Sequence, residues 1–342
     1  MANVLLKGFL GIIFLSNLST SAWSQEQAAS DTSALTSDIP AGETKPWNKV
    51  PAPASGSDFS FTVFSDRTSF AYPMGLEHVF RTLNDERARS GFEPAFILSI
   101  GDNIEGLTHD VAALKGMWSE FDAVVNKSPL PFIPVPGNHD VFNDTLRQLY
   151  LERYGRDYFY FVYDHVLFLG LDTDEAPPPL TKDREEAIET MLGNAGKQAA
   201  LHPDQPLSMV GVVRFCGEEE SVGPHAANYI SDRQEAYFEE VIDQHPDVSW
   251  IFLYMHRPAW KSPDHHIFER LQKKLAGHQY TVFAGHLHDY SHESIDGHDY
   301  FVLGPTSTIP VCIGPQGLDQ YMDVTFVNGA PRYVVRMVDQ AK

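Results

Sequence analysis

Short apolar runs alternate along the chain with longer amphipathic stretches, and Phe59 to Ser65 (FSFTVFS) is the first run that reads as a strand. Gly75 to Ser90 follows, with apolar residues at helical spacing. Ala95 to Ile100 (AFILSI) is continuously apolar, the pattern of a strand buried on both faces. Asp110 to Val125 reads as a helix and Pro131 to Val135 as a third strand. Asp157 to Asp164 alternates and is followed by Val166 to Leu171, which predicts an antiparallel pair. Ser231 caps a helix over Asp232 to Gln244, with a buried strand, Trp250 to Tyr254, behind it. A helix over Ile267 to Ala276 leads into a strand over Tyr280 to Ala284. The pattern then turns to β, at Asp289 to Ile295, Asp299 to Leu303, Tyr321 to Val327 and Tyr333 to Val338. Alternating βαβ units with late hairpins predict an α/β chain of two packed sheets with helices outside. Ligands in such folds gather on loops at the carboxyl ends of strands.

The first part of the chain lacks this pattern. Lys7 is followed by the apolar run Gly8 to Leu15 and then by Ala22-Trp23-Ser24, with small residues where a signal peptidase reads. Residues 1–24 are therefore expected to be a cleaved signal peptide, which makes the protein secreted or periplasmic. The run is too short for a membrane anchor, which needs about 20 apolar residues. Residues 25–57 are rich in Ala, Ser, Thr, Pro and Gly, a composition that predicts a disordered linker. The globular domain is expected over 58–342.

Composition narrows the field of partners. The 342 residues carry 46 Asp and Glu against 25 Lys and Arg, a formal net charge of −21. Such a surface disfavours non-specific docking to a nucleic-acid polymer, which needs a basic footprint. Two cysteines exclude a disulfide scaffold and a Cys-rich zinc module, whereas fifteen histidines call for an explanation.

Polar clusters stand at five strand ends: Ser65-Asp66-Arg67-Thr68, Gly101-Asp102-Asn103, Gly137-Asn138-His139-Asp140, His256-Arg257-Pro258 and Gly285-His286-Leu287-His288. Two histidines at i and i+2 after a glycine can aim both imidazoles into one cavity. Carboxylate, amide and imidazole together form a mixed nitrogen and oxygen set, which suits Zn, Mn or Fe.

In the order of these motifs and the late Gly-His-x-His element, the chain resembles the calcineurin-like metallophosphoesterases over Phe59 to Leu303. The resemblance implies a four-layered α/β/β/α sandwich and two divalent or trivalent metal ions. It implies that Asp102 bridges them, that Asn138, His256 and His286 complete one site, and that Asp66 and His288 hold the other. His139 would stand over the substrate as general acid, with Asp140 as its orienting partner. Two cations sharing a carboxylate hold a hydroxide between them as nucleophile, so the expected reaction is hydrolysis of a small phosphomonoester or phosphodiester. Arg257, next to His256, could reach a phosphate oxygen, but with Pro258 fixing the turn a surface arginine is the preferred reading.

The sequence departs from the family in its first motif, where Asp-x-His becomes Asp66-Arg67-Thr68. Purple acid phosphatases, which also lack that histidine, carry a tyrosine three residues after the bridging Asp; here the position is Glu105, the candidate replacement ligand. A degenerate mononuclear or non-catalytic metal-binding scaffold is the alternative. The stretch from about 175 to 230 matches no motif and is long for a connection, which suggests a lid or a surface insertion. It contains Cys216, for which a disulfide with Cys312 fits an exported protein.

Overall fold

The computed structural model describes residues 36–37, 50, 58–67, 75–175, 186, 190, 214–215, 227–263, 266–308, 312–313 and 319–338. The chain divides into two units, Met1–Thr32 and Ser33–Lys342, and every described residue lies in the second. The expected leader 1–24, Thr68, Cys216 and most of the 175–230 stretch lie outside the described residues.

In chain order the elements are β1 (Thr36–Ser37), β2 (Phe59–Phe64), α1 (Gly75–Ser90), β3 (Ile97–Ser99), α2 (Val111–Val125), β4 (Phe132–Pro134), α3 (Asp144–Tyr154), β5 (Phe159–Tyr163), β6 (Val166–Leu171) and β7 (Arg214–Phe215). They continue with α4 (Asp232–Gln244), β8 (Trp250–Met255), α5 (His266–Lys274), β9 (Tyr280–Ala284), β10 (Ser291–Ile295), β11 (His298–Val302), β12 (Cys312–Ile313), β13 (Gln320–Val327) and β14 (Ala330–Met337). A five-stranded sheet runs β14-β13-β2-β3-β4, and a seven-stranded sheet runs β1-β5-β6-β8-β9-β11-β10. Strands β2, β3 and β4 are parallel, as are β6, β8, β9 and β11, while the flanking strands are antiparallel. Both sheets are mixed.

The sheets meet through aromatic rings. Phe61 of β2 packs edge-on against Phe168 of β6 at 5.3 Å and Phe252 of β8 at 5.1 Å. The next residues on β2 point the other way, so Phe64 meets Phe80 of α1 at 5.5 Å and lies under the α1 and α2 layer. On the far face of the larger sheet, Leu167, Leu169, Leu171, Ile251, Leu253 and Met255 pack against Phe238 and Ile242 of α4 and Phe268 of α5. Strands buried on both faces explain the continuous apolar runs, since each such side chain contributes about 1.5–3 kcal/mol on burial. The result is the α/β/β/α sandwich.

Helix α3 and strands β1, β7 and β12 were not among the sequence expectations. Helix α3 stands just after the Gly137 to Asp140 cluster and is bounded by standard signals. The Asn143 side chain accepts from Leu146 N at 3.0 Å, and Gly155 adopts a left-handed φ of 80° at the other end. Leu146, Tyr150 and Tyr154 form its buried face at four-residue spacing. Within the 25–57 stretch, expected to be a structureless linker, Thr36 and Ser37 pair antiparallel with Val162 and Phe161 of β5. An edge strand exposes a row of unpaired backbone groups, and even two residues can satisfy part of it.

Candidate metal centre

The site is built where the parallel strands of both sheets end. Asp66 follows β2, Asp102 follows β3, and Asn138 and His139 follow β4 from the smaller sheet. His256 follows β8, and His286 and His288 follow β9 from the larger one. The loops are tightly packed. A Cβ on Gly101 would lie 2.7 Å from Gly137 Cα and 2.8 Å from His256 Nδ1, and the residue also has a φ of 98°, so glycine is required there. Asp102, His286 and His288 themselves adopt positive φ of 55°, 70° and 51°. Non-glycine residues held in this region cost about 1–3 kcal/mol each and mark sites where geometry is over-determined.

One group of donors surrounds His256. Its Nδ1 donates to the Ile100 carbonyl at 3.0 Å, which turns Nε2 inward. Around that Nε2 stand Asn138 Oδ1 at 3.0 Å, His286 Nδ1 at 3.1 Å and Asp102 Oδ2 at 3.3 Å. A second group surrounds Asp66, which is fully buried. Its carboxylate accepts from His286 N at 3.1 and 3.0 Å and from the Ser65 hydroxyl, and its Oδ1 lies 3.2 Å from His288 Nε2. Ligand atoms of Asp102, His256 and His286 fall within 4.8 Å of one another, and so do those of Asp66, Asp102 and His288. Asp102 belongs to both sets. Such crowding of buried lone pairs and negative charge is unfavourable without a positive centre, and the titration tendencies express this. Burial opposes charge on both partners. Nevertheless His288 holds Asp66 well below the usual carboxylate range, and His256 and His139 do the same to Asp102. Burial also opposes the charged form of His256, yet the neighbouring Asp102 carboxylate pushes that imidazole up to about 10. The donor set, with two carboxylates, one amide and three imidazoles, fits hard-to-borderline cations.

His139 lies at the rim of the second group. Its backbone N donates to Asp102 Oδ1 at 2.9 Å, and its Nδ1 donates to the Glu105 carbonyl at 2.6 Å. Its Nε2 stands 3.9 Å from Asp102 Oδ2. Asp140 does not orient that ring, contrary to the expectation. Its buried carboxylate instead accepts from Asn103 N at 2.9 Å, Gly137 N at 3.0 Å, Asn103 Nδ2 at 2.9 Å and Ile104 N at 3.3 Å. It clamps the Asp102 loop to the Asn138 loop, a positioning task. The Glu105 side chain is buried but belongs to neither convergent set among the described residues. Glu105 serves the site through its backbone carbonyl, which fixes the His139 tautomer.

Arg257 is not a free surface residue. Its Nε donates to Asp174 Oδ1 at 2.7 Å, and its Nη1 donates to His286 Nε2 at 2.9 Å. Its backbone N donates to Thr173 Oγ1 at 2.9 Å, and its guanidinium carbon lies 5.8 Å from the Tyr229 ring centre. Asp174 is 1% exposed and sits in a pinned loop: Arg147 donates to Asp172 Oδ2 at 2.7 Å and to the Asp174 carbonyl at 2.5 Å. Asp172-Thr173-Asp174 was missed in the sequence although it follows the carboxyl end of β6, the very position that flagged the other clusters. Thr306 and Ser307, past β11, were missed as well. Their backbone N–H groups donate to the Asp66 carbonyl at 3.0 and 3.1 Å, and Ser65 N donates to Thr306 Oγ1 at 2.7 Å.

Comparison with solved structures finds the same fold in proteins of low identity. A dimetal phosphatase from Danio rerio is 14% identical with a TM-score of 0.52, over 83% of this chain and 97% of that one. PhoD is 12% identical with a TM-score of 0.52, over 84% of this chain and 70% of that one. These similarities establish the fold. A comparison with curated proteins gave no match. A family model described as calcineurin-like phosphoesterase matches residues 61–290, a span that takes in every loop from Asp66 to His288. The chain belongs to the calcineurin-like phosphoesterases, metal-dependent hydrolases acting on phosphoric ester bonds.

Proposed function

We propose that the protein is an exported phosphoesterase with a binuclear centre, acting on a small phosphomonoester or phosphodiester. The observation that carries this reading is the pair of convergent donor sets sharing Asp102. Asp66, Asp102 and His288 would hold one cation, and Asp102, Asn138, His256 and His286 the other. Cations bound there supply Lewis-acid stabilisation of phosphoryl oxygens and lower the pKa of water. The protein's own groups do the rest. Asp140 sets the spacing of the two loops that carry Asp102 and Asn138. With Nδ1 committed to the Glu105 carbonyl, His139 presents Nε2 as the atom that passes a proton to the departing alkoxide. Burial opposes the charged form of His139, but Asp102 and Glu105 raise its pKa, which keeps the acid loaded.

Small substrates suit a surface with a net charge of −21, because the attraction for phosphate is then local to the cations. Export is supported by the apolar run and the Ala22-Trp23-Ser24 site of the N-terminal segment. No helix among the described residues is long and apolar enough to cross a membrane. The reading is tested with chromogenic phosphomonoesters and phosphodiesters in the presence of Mn, using His256→Ala as control. Metal-dependent turnover that His256→Ala abolishes supports it; absence of turnover across both ester types refutes it. N-terminal sequencing of the protein from the extracellular or periplasmic fraction is expected to begin at Gln25.

A further inference from the structure

Asp66 and Asp102 stand at the ends of neighbouring strands, and past the bond from Ile100 N to the Phe64 carbonyl at 3.0 Å, Arg67 carries the link between those ends. Its backbone N donates to the Asp102 carbonyl at 2.9 Å, and its Nη1 donates to the next carbonyl, that of Asn103, at 3.1 Å. Arg67 also forms a parallel bridge with Ser307, next to the bonds that Thr306 and Ser307 make to the Asp66 carbonyl. The residue is 7% exposed, and its guanidinium carbon lies 5.8 Å from the Phe121 ring centre of α2. Burying a guanidinium is costly, and the charges of Glu120, Glu105, Glu77 and Asp140 work against that cost.

The remaining contacts sort the donors into two bodies. Asp140 joins Asn103 N at 2.9 Å to Gly137 N at 3.0 Å, His139 N reaches Asp102 Oδ1 at 2.9 Å, and His256 Nδ1 donates to the Ile100 carbonyl at 3.0 Å. Asp102, Asn138 and His256 are thereby fixed to one another. Asp66 is fixed to the loop after β9: its carboxylate accepts from His286 N at 3.1 and 3.0 Å, and a Cβ on Gly285 would lie 2.5 Å from its Oδ2. The set Asp102, Asn138, His256 and His286 therefore has three of its four donors in one body. The set Asp66, Asp102 and His288 straddles the two, with Asp102 on one side and Asp66 and His288 on the other. Asp102 is moreover held at a φ of 55°, a conformation that persists only under restraint.

We propose that Arg67 is a positioning residue for the cation of the Asp66, Asp102 and His288 set: bonded to the carbonyls of Asp102 and Asn103, it fixes the spacing of the two carboxylates across the two bodies. That set has three side-chain donors where the other has four, and Thr68 stands in the sequence where the family carries a further histidine. Rigid spacing makes up for the ligand that is lacking. The inference rests on the reading of the centre as binuclear.

The test uses the purified full chain with Mn²⁺ as probe. Arg67→Met keeps an apolar stem against Phe121 and removes the donor to Asn103, whereas Arg67→Lys keeps a charged donor. Titration calorimetry of wild type is expected to show two binding events. In Arg67→Met one event should stay as in wild type and the other weaken about 10- to 100-fold. At Mn²⁺ levels that saturate wild type, its exchange-coupled paramagnetic resonance signal should give way in Arg67→Met to that of isolated Mn²⁺. Arg67→Lys should return the weakened event to within about 3-fold of wild type. Loss of a positive charge would by itself tighten cation binding, so a weakening reads position rather than charge. The inference is overturned by an Arg67→Met chain that binds both cations as wild type does, weakens both alike, or is unfolded by circular dichroism. An Arg67→Lys chain no better than Arg67→Met overturns it as well. Fewer than two binding events in wild type itself refute the binuclear reading and take this inference with it; two events in wild type and an unaltered pair in Arg67→Met remove only the role of Arg67.

Discussion

Gly137→Ala isolates how finely the two loops of the smaller sheet are spaced. A Cβ at 137 would stand 2.2 Å from Asp102 Oδ1, 2.4 Å from Asp102 N and 2.9 Å from Asp102 Cγ. Ordinary contact begins near 3.4 Å, so the loops must part by about 1 Å. Neither side can yield alone. Asp140 clamps Gly137 N to the Asn103 backbone at 3.0 and 2.9 Å, and Asp102 Oδ1 is taken by His139 N at 2.9 Å. The displacement passes directly into Asp102, the residue common to both donor sets. A misplacement of that size costs about 100-fold in rate, and disturbed ligand support costs about 10- to 100-fold in metal affinity. Titration calorimetry with Mn²⁺ and kcat/KM on a chromogenic ester measure both. Gly116→Ala in the interior of α2 is the control, because a Cβ there meets nothing within 4 Å. It should leave activity unchanged and add about 0.5–1 kcal/mol of stability. A Gly137→Ala enzyme equal to wild type in metal affinity and rate would refute the argument that this spacing sets the centre.

Other outcomes follow from the same contacts. Asp140→Ala leaves several buried N–H donors without their acceptor and should cost about 3–5 kcal/mol in urea unfolding, with Asp140→Asn milder because one oxygen remains. His139→Ala should retain metal and lose about 100- to 10,000-fold in kcat. Its pKa lies above the ordinary 6.5 because Asp102 and Glu105 outweigh burial; the protonated form is the active one, so wild-type kcat/KM should fall as pH rises through that raised value. A variant showing the same alkaline limb would exclude His139 as its source. Adding Mn²⁺ at 100 times its Kd should stabilise the fold by about 2.7 kcal/mol, read as a rise in thermal midpoint that EDTA reverses. His256→Ala should show no such rise.

Much of this was legible in the chain because two different signals coincide. Continuous apolar runs such as Ala95 to Ile100 and Val166 to Leu171 are short enough to suit strands covered on both sides, and the polar residues after them fall on loops at one rim. Spacing alone could not reveal how those loops meet. Asp140 follows His139 directly and reads as its partner, yet side chains of neighbouring loop residues diverge, and the carboxylate turns back to the Asn103 loop. Glu105 is near Asp102 in sequence, but the hydrogen bond to the His139 ring comes from its backbone carbonyl, and its carboxylate joins neither donor set among the described residues. Helix α3 was overlooked because its buried face is narrow, three residues in eleven, between two polar ends. Arg257 looked like a surface residue because its counter-charge, Asp174, lies 83 positions earlier.

The separation in sequence of the residues that meet at the centre has a kinetic consequence. Asp66 and His286 touch across 220 positions, and His256 and Asn138 across 118. Closing loops of that length is entropically costly, and the contacts that repay the cost are the sheets themselves. The centre therefore assembles late, after β2, β3, β4, β8 and β9 are in register, and a cation has nothing complete to grip before then. Metal should leave the refolding rate almost untouched while slowing unfolding, the behaviour of an interaction absent from the transition state. The cation acts on this chain as a latch that closes after the door.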